Sequence, residues 1–260
     1  MAQRYVRIQS QDQQLYYGLL QPNRSVEVLD QAPWLGGKAN GLVLAESDYR
    51  LLSPCIPSKI IAVGRNYPAH AAELGNTVPE EPLLFLKPPT AIAAHGQTVF
   101  YPAQSQRVDY EGELALVIGA TTNDCSVEAA SGRIWGYTIA NDITARDLQR
   151  QDSQWTRAKG FDGFCPLGPW IIRDLPIDAR LQTFVNEETV PRQSAKINEM
   201  VFSPAVLVSY ISQIMTLLPG DIILTGTPEG IGPLQVGDTV RVEIEGIGSL
   251  ETAIAVKQEA

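Results

Sequence analysis

The amino-acid sequence predicts a β-rich α+β fold. Short runs of β-branched, aromatic and aliphatic residues recur along the chain between turn residues, whereas few segments have the composition of a helix. Strands and helices do not alternate regularly, as they would in a doubly wound parallel sheet. With 260 residues, the chain is long enough to bury a large core.

The first 55 residues are predicted to form a small N-terminal β subdomain. Strand-like segments cover residues 5–8, 14–20 and 25–30, and Pro22-Asn23 interrupts the chain between the last two. This part of the sequence contains no concentrated cluster of polar residues. Prolines at positions 54 and 57 mark the junction, so residues 58–257 are expected to form a second, larger domain.

Helices and strands are also predicted in the larger domain. Pro68 opens a short helix that Gly75-Asn76 stops, and Ser203-Pro204 is an N-cap followed by proline at the first helical position. The apolar residues of this second helix are expected to share one buried face; they are Val206, Leu207, Tyr210, Ile211, Ile214 and Met215. Strands are predicted at residues 59–63, 83–86, 111–118, 135–140 and 222–225, with a hairpin formed by residues 239–245 and 250–256.

Composition argues against several classes of partner. The chain has 20 basic and 29 acidic side chains and a net charge of −9, so a nucleic-acid partner is not expected. No segment has the roughly 20 consecutive apolar residues of a membrane span, and the first residues lack the apolar run of a signal peptide. Cys55, Cys125 and Cys165 are widely spaced and form no CxxC pair, which is typical of a reducing compartment. We therefore expect a cytoplasmic protein.

Two glutamates form the first candidate site. In Asp109-Tyr110-Glu111-Gly112-Glu113, a strand would project Glu111 and Glu113 from the same face and leave space at Gly112 on the other. Adjacent carboxylates repel each other, and burying them without a compensating charge is costly. The pair therefore indicates either a solvated strand edge or a bound cation. The apolar run at residues 114–118 favours a strand that enters a core.

Asp142 follows the predicted strand at residues 135–140 and, taken alone, is typical of a helix N-cap. If it met Glu111 and Glu113, the three carboxylates would suit a hard cation such as Mg²⁺ or Mn²⁺. The chain has only two histidines, so a histidine-rich zinc site is excluded. Sequence spacing leaves open whether the three carboxylates meet.

His70 and Glu73 lie three residues apart on the predicted helix that begins at Pro68. Residues at this spacing share a helix face, so the carboxylate can orient the imidazole ring and raise its basicity. This arrangement suits a general base that activates water. A surface ion pair is the other interpretation of the same motif.

Lys159 lies in a segment rich in aromatic residues and glycine, where a cation could bind an anionic substrate. The alternative is a surface lysine whose stem packs on apolar neighbours. The glycine-rich turn Thr225-Gly226-Thr227-Pro228 could offer hydroxyl and backbone N–H groups to an oxyanion. No Gly-Lys-Ser/Thr motif is present, so nucleotide binding is not expected.

Five motifs, in this order along the chain, are specific in combination. They are Val63-Gly64-Arg65-Asn66-Tyr67, Asp109-Tyr110-Glu111-Gly112-Glu113, Asn141-Asp142-Ile143-Thr144-Ala145-Arg146-Asp147, residues 159–169, and Leu218-Pro219-Gly220-Asp221 with Thr225-Gly226-Thr227-Pro228. Together they resemble the fumarylacetoacetate hydrolase family over about residues 58–257. The chain is most similar to the short branch that contains acylpyruvate hydrolases and oxaloacetate decarboxylases.

The resemblance implies a mixed β-roll fold, usually in a homodimer, with Mg²⁺ or Mn²⁺ held by two glutamates and an aspartate. By motif match the metal ligands are Glu111, Glu113 and Asp142. The family's His-x-x-Glu dyad falls on His70 and Glu73, in a segment that tends to close as a lid. The remaining implied site residues are the catalytic and substrate-binding lysine Lys159, and the substrate contacts Arg65, Gln149 and Thr227.

Two positions depart from the family pattern. Gly160 stands where the family commonly has serine, which predicts a looser backbone beside Lys159. Asn186-Glu187-Glu188 stands where the family favours Asn-Gly-Glu, which predicts a different hairpin geometry there.

The resemblance implies hydrolysis of a carbon–carbon bond in an acylpyruvate-like 1,3-diketo acid, of the acetylpyruvate or fumarylpyruvate type. Oxaloacetate decarboxylation, isomerisation or tautomerisation of a 2-oxo acid, and sugar-acid dehydration or hydrolysis are further uses of the same site. His70 and Glu73 favour hydrolysis, because hydrolysis needs a base that activates water. An alternative of another class is a non-catalytic binding protein that a metal ion stabilises.

Overall fold

The computed structural model describes residues 2–257, in which strands make up 39% of the chain and helices 18%. The prediction of a β-rich α+β fold is therefore confirmed. The N-terminal strands are β1 (Arg4–Ser10), β2 (Leu15–Leu20), β3 (Val26–Leu29), β4 (Ala39–Leu44) and β5 (Tyr49–Leu52).

The N-terminal strands are part of the largest sheet. The other strands of this sheet are β6 (Ile60–Gly64), β7 (Leu83–Lys87), β8 (Ile92–Ala93), β11 (Gly112–Ile118), β12 (Ile134–Asn141), β14 (Cys165–Ile172) and β17 (Ile222–Leu224). Their order is β4-β3-β2-β1-β14-β12-β11-β17-β6-β7, with β5 paired to β1 and β8 to β14. The N-terminal part joins the rest through the antiparallel pair β1–β14, where Tyr5 lies opposite Ile171. Whether residues 1–55 fold as a separate subdomain stays a prediction.

Two smaller sheets complete the fold. One has the order β13 (Thr144–Ala145), β10 (Val108–Tyr110) and β18 (Gly232–Pro233). The other has the order β16 (Gln193–Lys196), β15 (Arg180–Val185), β19 (Thr239–Ile244), β20 (Gly248–Ala255) and β9 (Thr98–Phe100). The hairpin predicted near the C-terminus is the pair β19–β20.

Strand β11 is buried on both faces, which explains its uninterrupted apolar sequence. Leu114 and Leu116 belong to a core cluster shared with β15 and β19 of the five-stranded sheet. Ala115 and Val117 belong to a second cluster on the opposite face, together with residues of β6 and β17. A strand held between two cores is a rigid support for the side chains at its end.

The α-helices are α1 (Pro68–Glu73), α2 (Val127–Ala130), α3 (Arg146–Gln151), α4 (Thr156–Lys159) and α5 (Pro204–Ile214). In residues 2–257, none of them is long and apolar enough to cross a membrane. Ser203 caps α5 as predicted, since its side chain accepts a hydrogen bond from the backbone N–H of Val206.

The buried face of α5 differs from the predicted one. Ile214 is 56% exposed, whereas Ser209 and Ser212 are buried. The Ser209 hydroxyl donates to the carbonyl of Cys125 at 2.8 Å, and the Cys125 N–H donates to the Ser212 hydroxyl at 3.0 Å. These contacts turn the two serines, rather than Ile214, toward the protein interior.

Candidate active site

The site lies where the chain passes from one sheet to another. Strand β10 pairs with β13 and β18, whereas β11 pairs with β12 and β17, and Glu111 is the single residue between β10 and β11. Asp142 directly follows β12, and its N–H donates to the carbonyl of Glu111 at 2.8 Å. The Asn141 side-chain oxygen accepts from the Glu111 N–H at 3.0 Å. These bonds hold the ends of two neighbouring strands together at the point where the sheets separate.

Three carboxylates converge at this crevice. Glu111, Glu113 and Asp142 are all buried, and one carboxylate oxygen of each lies within 4.8 Å of the others. Glu113 is on β11 and Glu111 immediately precedes that strand, so the two project toward the same side. The structure thus brings together the three residues whose meeting the sequence left open.

Three buried cations neutralise two of these carboxylates. Lys87 donates to Asp142 Oδ1 at 2.5 Å, and Lys159 donates to Asp142 Oδ2 and, at 2.9 Å, to Glu111 Oε2. Arg146 donates to the other oxygen of Glu111. Burial raises the pKa of Glu111, but the charges of Lys159 and Arg146 outweigh burial and hold that pKa well below its usual range.

Glu113 has a different environment. It accepts a hydrogen bond from the Gly226 N–H at 2.7 Å, and no cationic side chain within the described residues forms an ion pair with it. Burial, and then repulsion from Asp142 and Glu111, raise the pKa of Glu113 well above its usual range. The cluster therefore has an uncompensated carboxylate that a bound cation would stabilise.

The chemistry of these donors fits Mg²⁺ or Mn²⁺. Hard divalent cations prefer carboxylate oxygens, and the three carboxylates offer one oxygen each within 4.8 Å of the others. The ion pairs with lysine and arginine do not prevent this, because each carboxylate oxygen has more than one lone pair. An added cation would also relieve the repulsion at Glu113.

A histidine–glutamate pair lies on α1. His70 is 4% exposed, and its Nδ1 lies 3.3 Å from Glu73 Oε2. The other oxygen of Glu73 accepts from the Gly230 N–H at 3.1 Å, which fixes the carboxylate. The pair therefore has the orientation in which a carboxylate holds an imidazole ring, with Nε2 left for other contacts.

One cavity of about 240 Å³ collects the predicted residues. Eight of the nine candidates line it, and the ninth, Glu73, lies behind His70. The eight are Arg65, His70, Glu111, Glu113, Asp142, Gln149, Lys159 and Thr227. Asn76, Phe85, Arg146, Arg150 and Trp155 also line the cavity.

The three predicted substrate contacts differ in the hydrogen bonds and backbone conformation that they have within the protein. Gln149 accepts from Arg146 at 2.6 Å through its oxygen, which leaves its amide nitrogen as a donor. The Thr227 hydroxyl donates to the Gly112 carbonyl at 2.8 Å and accepts from Gln193 at 2.8 Å, so it supports the start of β11. Arg65 has a left-handed backbone with φ of 59°, a conformation that non-glycine residues rarely adopt.

Sequence reasoning missed two of the cations, Lys87 and Arg146. Arg146 belongs to the motif at residues 141–147, and its guanidinium donates to Glu111 and, at 2.9 Å, to the buried Asp109. A signal for Lys87 existed, since it ends an apolar strand and is followed by two prolines. A lone lysine at such a position is not specific enough to be assigned a role from sequence.

The departure at Gly160 has a steric consequence. A Cβ atom at this position would lie 2.5 Å from the carbonyl oxygen of Thr156 and 3.3 Å from Pro88. Glycine therefore permits a close approach to these two residues beside Lys159, and the looser backbone stays a prediction. In the other departure, Asn186 takes the left-handed conformation with φ of 56°, and its side chain bonds Asp238 and Thr239.

Fold and site define a β-rich protein in which a buried carboxylate cluster, suited to a divalent cation, shares one cavity with a histidine–glutamate pair. Comparison with known proteins agrees with this fold. A model described as fumarylacetoacetate (FAA) hydrolase C-terminal matches residues 59–255, and one described as Rv2993c-like, N-terminal matches residues 3–54. The chain belongs to the fumarylacetoacetate hydrolase family, and the resemblance inferred from its motifs is confirmed.

Relatives of known name catalyse different reactions. The oxaloacetate tautomerase FAHD1, mitochondrial, of Arabidopsis thaliana is 44% identical over 202 residues, which are 75% of this chain and 89% of the relative. The structure of a 5-carboxymethyl-2-hydroxymuconate delta-isomerase from Mycobacterium smegmatis has a TM-score of 0.91 and 44% identity, and the match covers 98% of this chain and 100% of that one.

A third relative was solved with a metal ion. The fumarylpyruvate hydrolase from Pseudomonas aeruginosa, in complex with Mn²⁺ and pyruvate, has a TM-score of 0.73 and 35% identity, and the match covers 80% of this chain and 92% of that one. Hydrolases and isomerases thus share this fold, and the family alone does not select the reaction.

Proposed function

We propose that this protein is a divalent-metal-dependent hydrolase that cleaves a carbon–carbon bond in a small acylpyruvate-like 1,3-diketo acid. The supporting observation is that the His70–Glu73 pair and the Glu111, Glu113 and Asp142 cluster meet at one cavity. Hydrolysis through an enolate requires both a proton acceptor and a positive centre that stabilises the enolate.

Bound at the three carboxylates, Mg²⁺ or Mn²⁺ would act as a Lewis acid toward the oxygens of a 2-oxo acid and stabilise developing enolate charge. Lys159 and Arg146 contribute fixed positive charge beside the same carboxylates, which favours an anionic substrate in an otherwise acidic protein. The Gln149 amide and the Arg65 guanidinium line the cavity and can donate to a substrate carboxylate.

In the proposed reaction, His70 takes a proton from a water molecule whose oxygen forms a bond to the acyl carbonyl carbon. The bond between that carbon and C3 of the substrate then breaks, and its electron pair leaves with the three-carbon fragment as an enolate. The proton on His70 returns to C3, which gives pyruvate and a carboxylic acid. Glu73 positions the imidazole for both proton transfers, because it is itself held by the Gly230 N–H.

Tautomerisation or double-bond isomerisation of a 2-oxo diacid is the second candidate, and the names of two relatives favour it. Tautomerisation moves a proton between carbon and oxygen, double-bond isomerisation moves one between two carbon atoms, and neither needs an attacking water. His70 could mediate either from the same position. Decarboxylation of oxaloacetate would form the same enolate by loss of CO₂ instead of by hydrolysis.

The test compares substrates and metals on the full chain. We would measure release of pyruvate from acetylpyruvate and from oxaloacetate, together with the loss of enol absorbance of oxaloacetate, with Mg²⁺, with Mn²⁺ and with excess chelator. The variants are His70→Ala and, as a control in the same segment, Glu80→Ala, which is exposed.

The proposal predicts metal-dependent cleavage of acetylpyruvate that falls by about 100-fold or more in His70→Ala and is unchanged in Glu80→Ala. Enol–keto conversion without cleavage would assign the tautomerase reaction instead. Activity confined to pyruvate release from oxaloacetate, and retained in His70→Ala, would assign a decarboxylase. Cleavage that persists in excess chelator would contradict the metal dependence.

A further inference from the structure

A large cavity lies outside the candidate active site, at the junction of the N-terminal strands and the rest of the chain. Its volume is about 910 Å³. From the N-terminal strands it is lined by Arg4 of β1, Arg24 of the turn between β2 and β3, and Arg50 of β5. From the rest of the chain it is lined by His95, in the connection between β8 and β9, and by Trp170 of β14. We call this space the arginine cavity.

The charge of the arginine cavity is opposite to that of the whole chain. Three guanidinium groups line it, and Glu46 is the one carboxylate residue among its described lining residues. Three positive charges and one negative charge leave a local excess of two positive charges, in a chain whose net charge is −9. A concave surface of this kind concentrates small anions.

Two of the arginines are held in place without a carboxylate partner. The Arg4 guanidinium lies over the Trp170 ring at 4.3 Å, and Arg50 donates to the Gln9 side-chain oxygen through Nε, at 2.9 Å, and through Nη2. Among the described residues, neither forms an ion pair, whereas Arg24 pairs with Glu46 at 2.6 Å. Stacking on a ring, or hydrogen bonds to one neutral amide oxygen, leaves the remaining N–H donors of a guanidinium available to an oxyanion.

His95 adds a donor rather than an acceptor. Its Nδ1 accepts the backbone N–H of Glu251 at 3.1 Å, so the ring proton of the neutral form is on Nε2. Burial lowers the pKa of His95, which favours the neutral form at pH 7. The cavity thus offers N–H groups from both sides of the junction.

We propose that the arginine cavity binds a small organic dianion, with a phosphate group or two carboxylates, between the guanidinium groups of Arg4 and Arg50. Arginine is the side chain best suited to these groups, because its planar fork matches their oxygens in two places. The volume is in the range that proteins use for small-molecule ligands. This site is independent of the reaction at the carboxylate cluster.

The test is isothermal titration calorimetry of the full chain at pH 8 with inorganic phosphate and, separately, with succinate, each compared with chloride at equal ionic strength. The variants are Arg50→Gln and Arg4→Gln. Arg173→Gln is the matched control, since Arg173 also lies over a tryptophan ring, that of Trp135 at 4.8 Å, but does not line the cavity. Arg65→Gln reports whether a dianion binds at the candidate active site instead, because Arg65 lines that cavity and, among the described residues, forms no ion pair whose loss would leave a buried charge.

The proposal predicts that at least one dianion binds with a stoichiometry of one per chain, and that affinity falls about tenfold or more in Arg50→Gln and Arg4→Gln. Arg173→Gln and Arg65→Gln should bind as the wild type does. Preference for phosphate or for succinate identifies the class of ligand. Binding no stronger than that of chloride, equal affinity in Arg50→Gln, or loss of binding in Arg65→Gln would overturn the proposal. Arg50 is exposed, so its substitution leaves the fold intact.

Discussion

Lys87 shows how strongly the candidate site depends on charge balance. Its side chain is fully buried and donates to Asp142 Oδ1 at 2.5 Å and to the Ile143 carbonyl at 3.3 Å. A buried lysine is stable only when its charge is compensated, and here the compensating group is a proposed metal ligand. Lys87 therefore positions Asp142 in the resting protein.

We predict that Lys87→Met destabilises the protein by about 3–5 kcal/mol, because it leaves the buried carboxylate of Asp142 with one cation fewer. Urea denaturation measures the free energy of unfolding directly. Lys38→Met, at an exposed position, should have little effect. Equal stability of the two variants would show that the Lys87–Asp142 pair does not contribute to the fold.

Gly160 is a second position that affects the candidate site, because even a Cβ atom there would collide with the neighbouring backbone. A side chain there would approach the Thr156 carbonyl oxygen to 2.5 Å, so the turn after α4 must shift before it can accommodate one. Lys159 ends α4, and any such shift moves its amino group relative to Glu111 and Asp142.

We predict that Gly160→Ser, which introduces the residue common in the family, lowers stability by about 1–3 kcal/mol and reduces turnover of the proposed substrate. Gly132→Ser is the matched control, because nothing lies within 4 Å of a Cβ atom at Gly132. Thermal unfolding and the steady-state rate would be measured for both. A Gly160→Ser protein as stable and active as the control would mean that the backbone adapts without moving Lys159.

At the scale of elements, the position of β11 decides what its residues contribute. Leu116 is fully buried in the centre of the largest sheet, whereas Leu86 lies on the edge strand β7 and is 53% exposed. Truncation of a buried leucine removes apolar contacts and leaves a cavity, and truncation of an exposed leucine does neither.

We predict that Leu116→Ala costs about 2–5 kcal/mol of unfolding free energy and that Leu86→Ala costs less than about 0.5 kcal/mol. Because β11 carries Glu113 at its start, Leu116→Ala should also weaken binding of Mn²⁺. Denaturant titration and metal titration test the two parts. Similar stabilities for the two variants would contradict the central position of β11 in the core.

Elements with a strong local pattern were predictable from the sequence. The apolar run of β11, the capped start of α5 and the C-terminal hairpin are each determined by nearby residues, through burial, capping or turn formation. The order of strands is not local information. Nothing near Tyr5 indicates that β1 pairs with β14, whose residue Ile171 is distant in the sequence.

The contacts of the candidate site also fall into two groups: those that local sequence patterns predict and those that depend on distant parts of the chain. Spacing placed Glu111 and Glu113 on one side of a strand, and helical periodicity placed His70 beside Glu73. That Asp142 meets the two glutamates depends on the pairing of β11 with β12, which the spacing left open. Lys87 pairs with Asp142, which is 55 residues away along the chain, and no local feature of the sequence indicates this contact.

At the scale of the whole molecule, the candidate site and the arginine cavity are two concentrations of positive side chains in an acidic protein. At the first, the positive groups are balanced by carboxylates that suit a metal ion. At the second, two of the three arginines lack a carboxylate partner among the described residues. The homodimer implied by the family resemblance stays a prediction.

Glu111, Glu113 and Asp142 are proposed to hold one divalent cation. The most direct measurement is a titration of chelator-treated protein with Mn²⁺, followed by calorimetry and by thermal unfolding, for the wild type and for Glu113→Gln. Glutamine can still accept the Gly226 N–H, but it cannot ionise to supply the negative charge that a bound cation would pair with.

We expect one Mn²⁺ per wild-type chain and a rise in the unfolding temperature on binding. Without metal, Glu113→Gln should be at least as stable as the wild type, because buried repulsion is removed, and added Mn²⁺ should no longer raise its unfolding temperature. A wild-type protein that binds no Mn²⁺, or a Glu113→Gln protein that binds it equally well, would contradict the assignment of this cluster as the metal site.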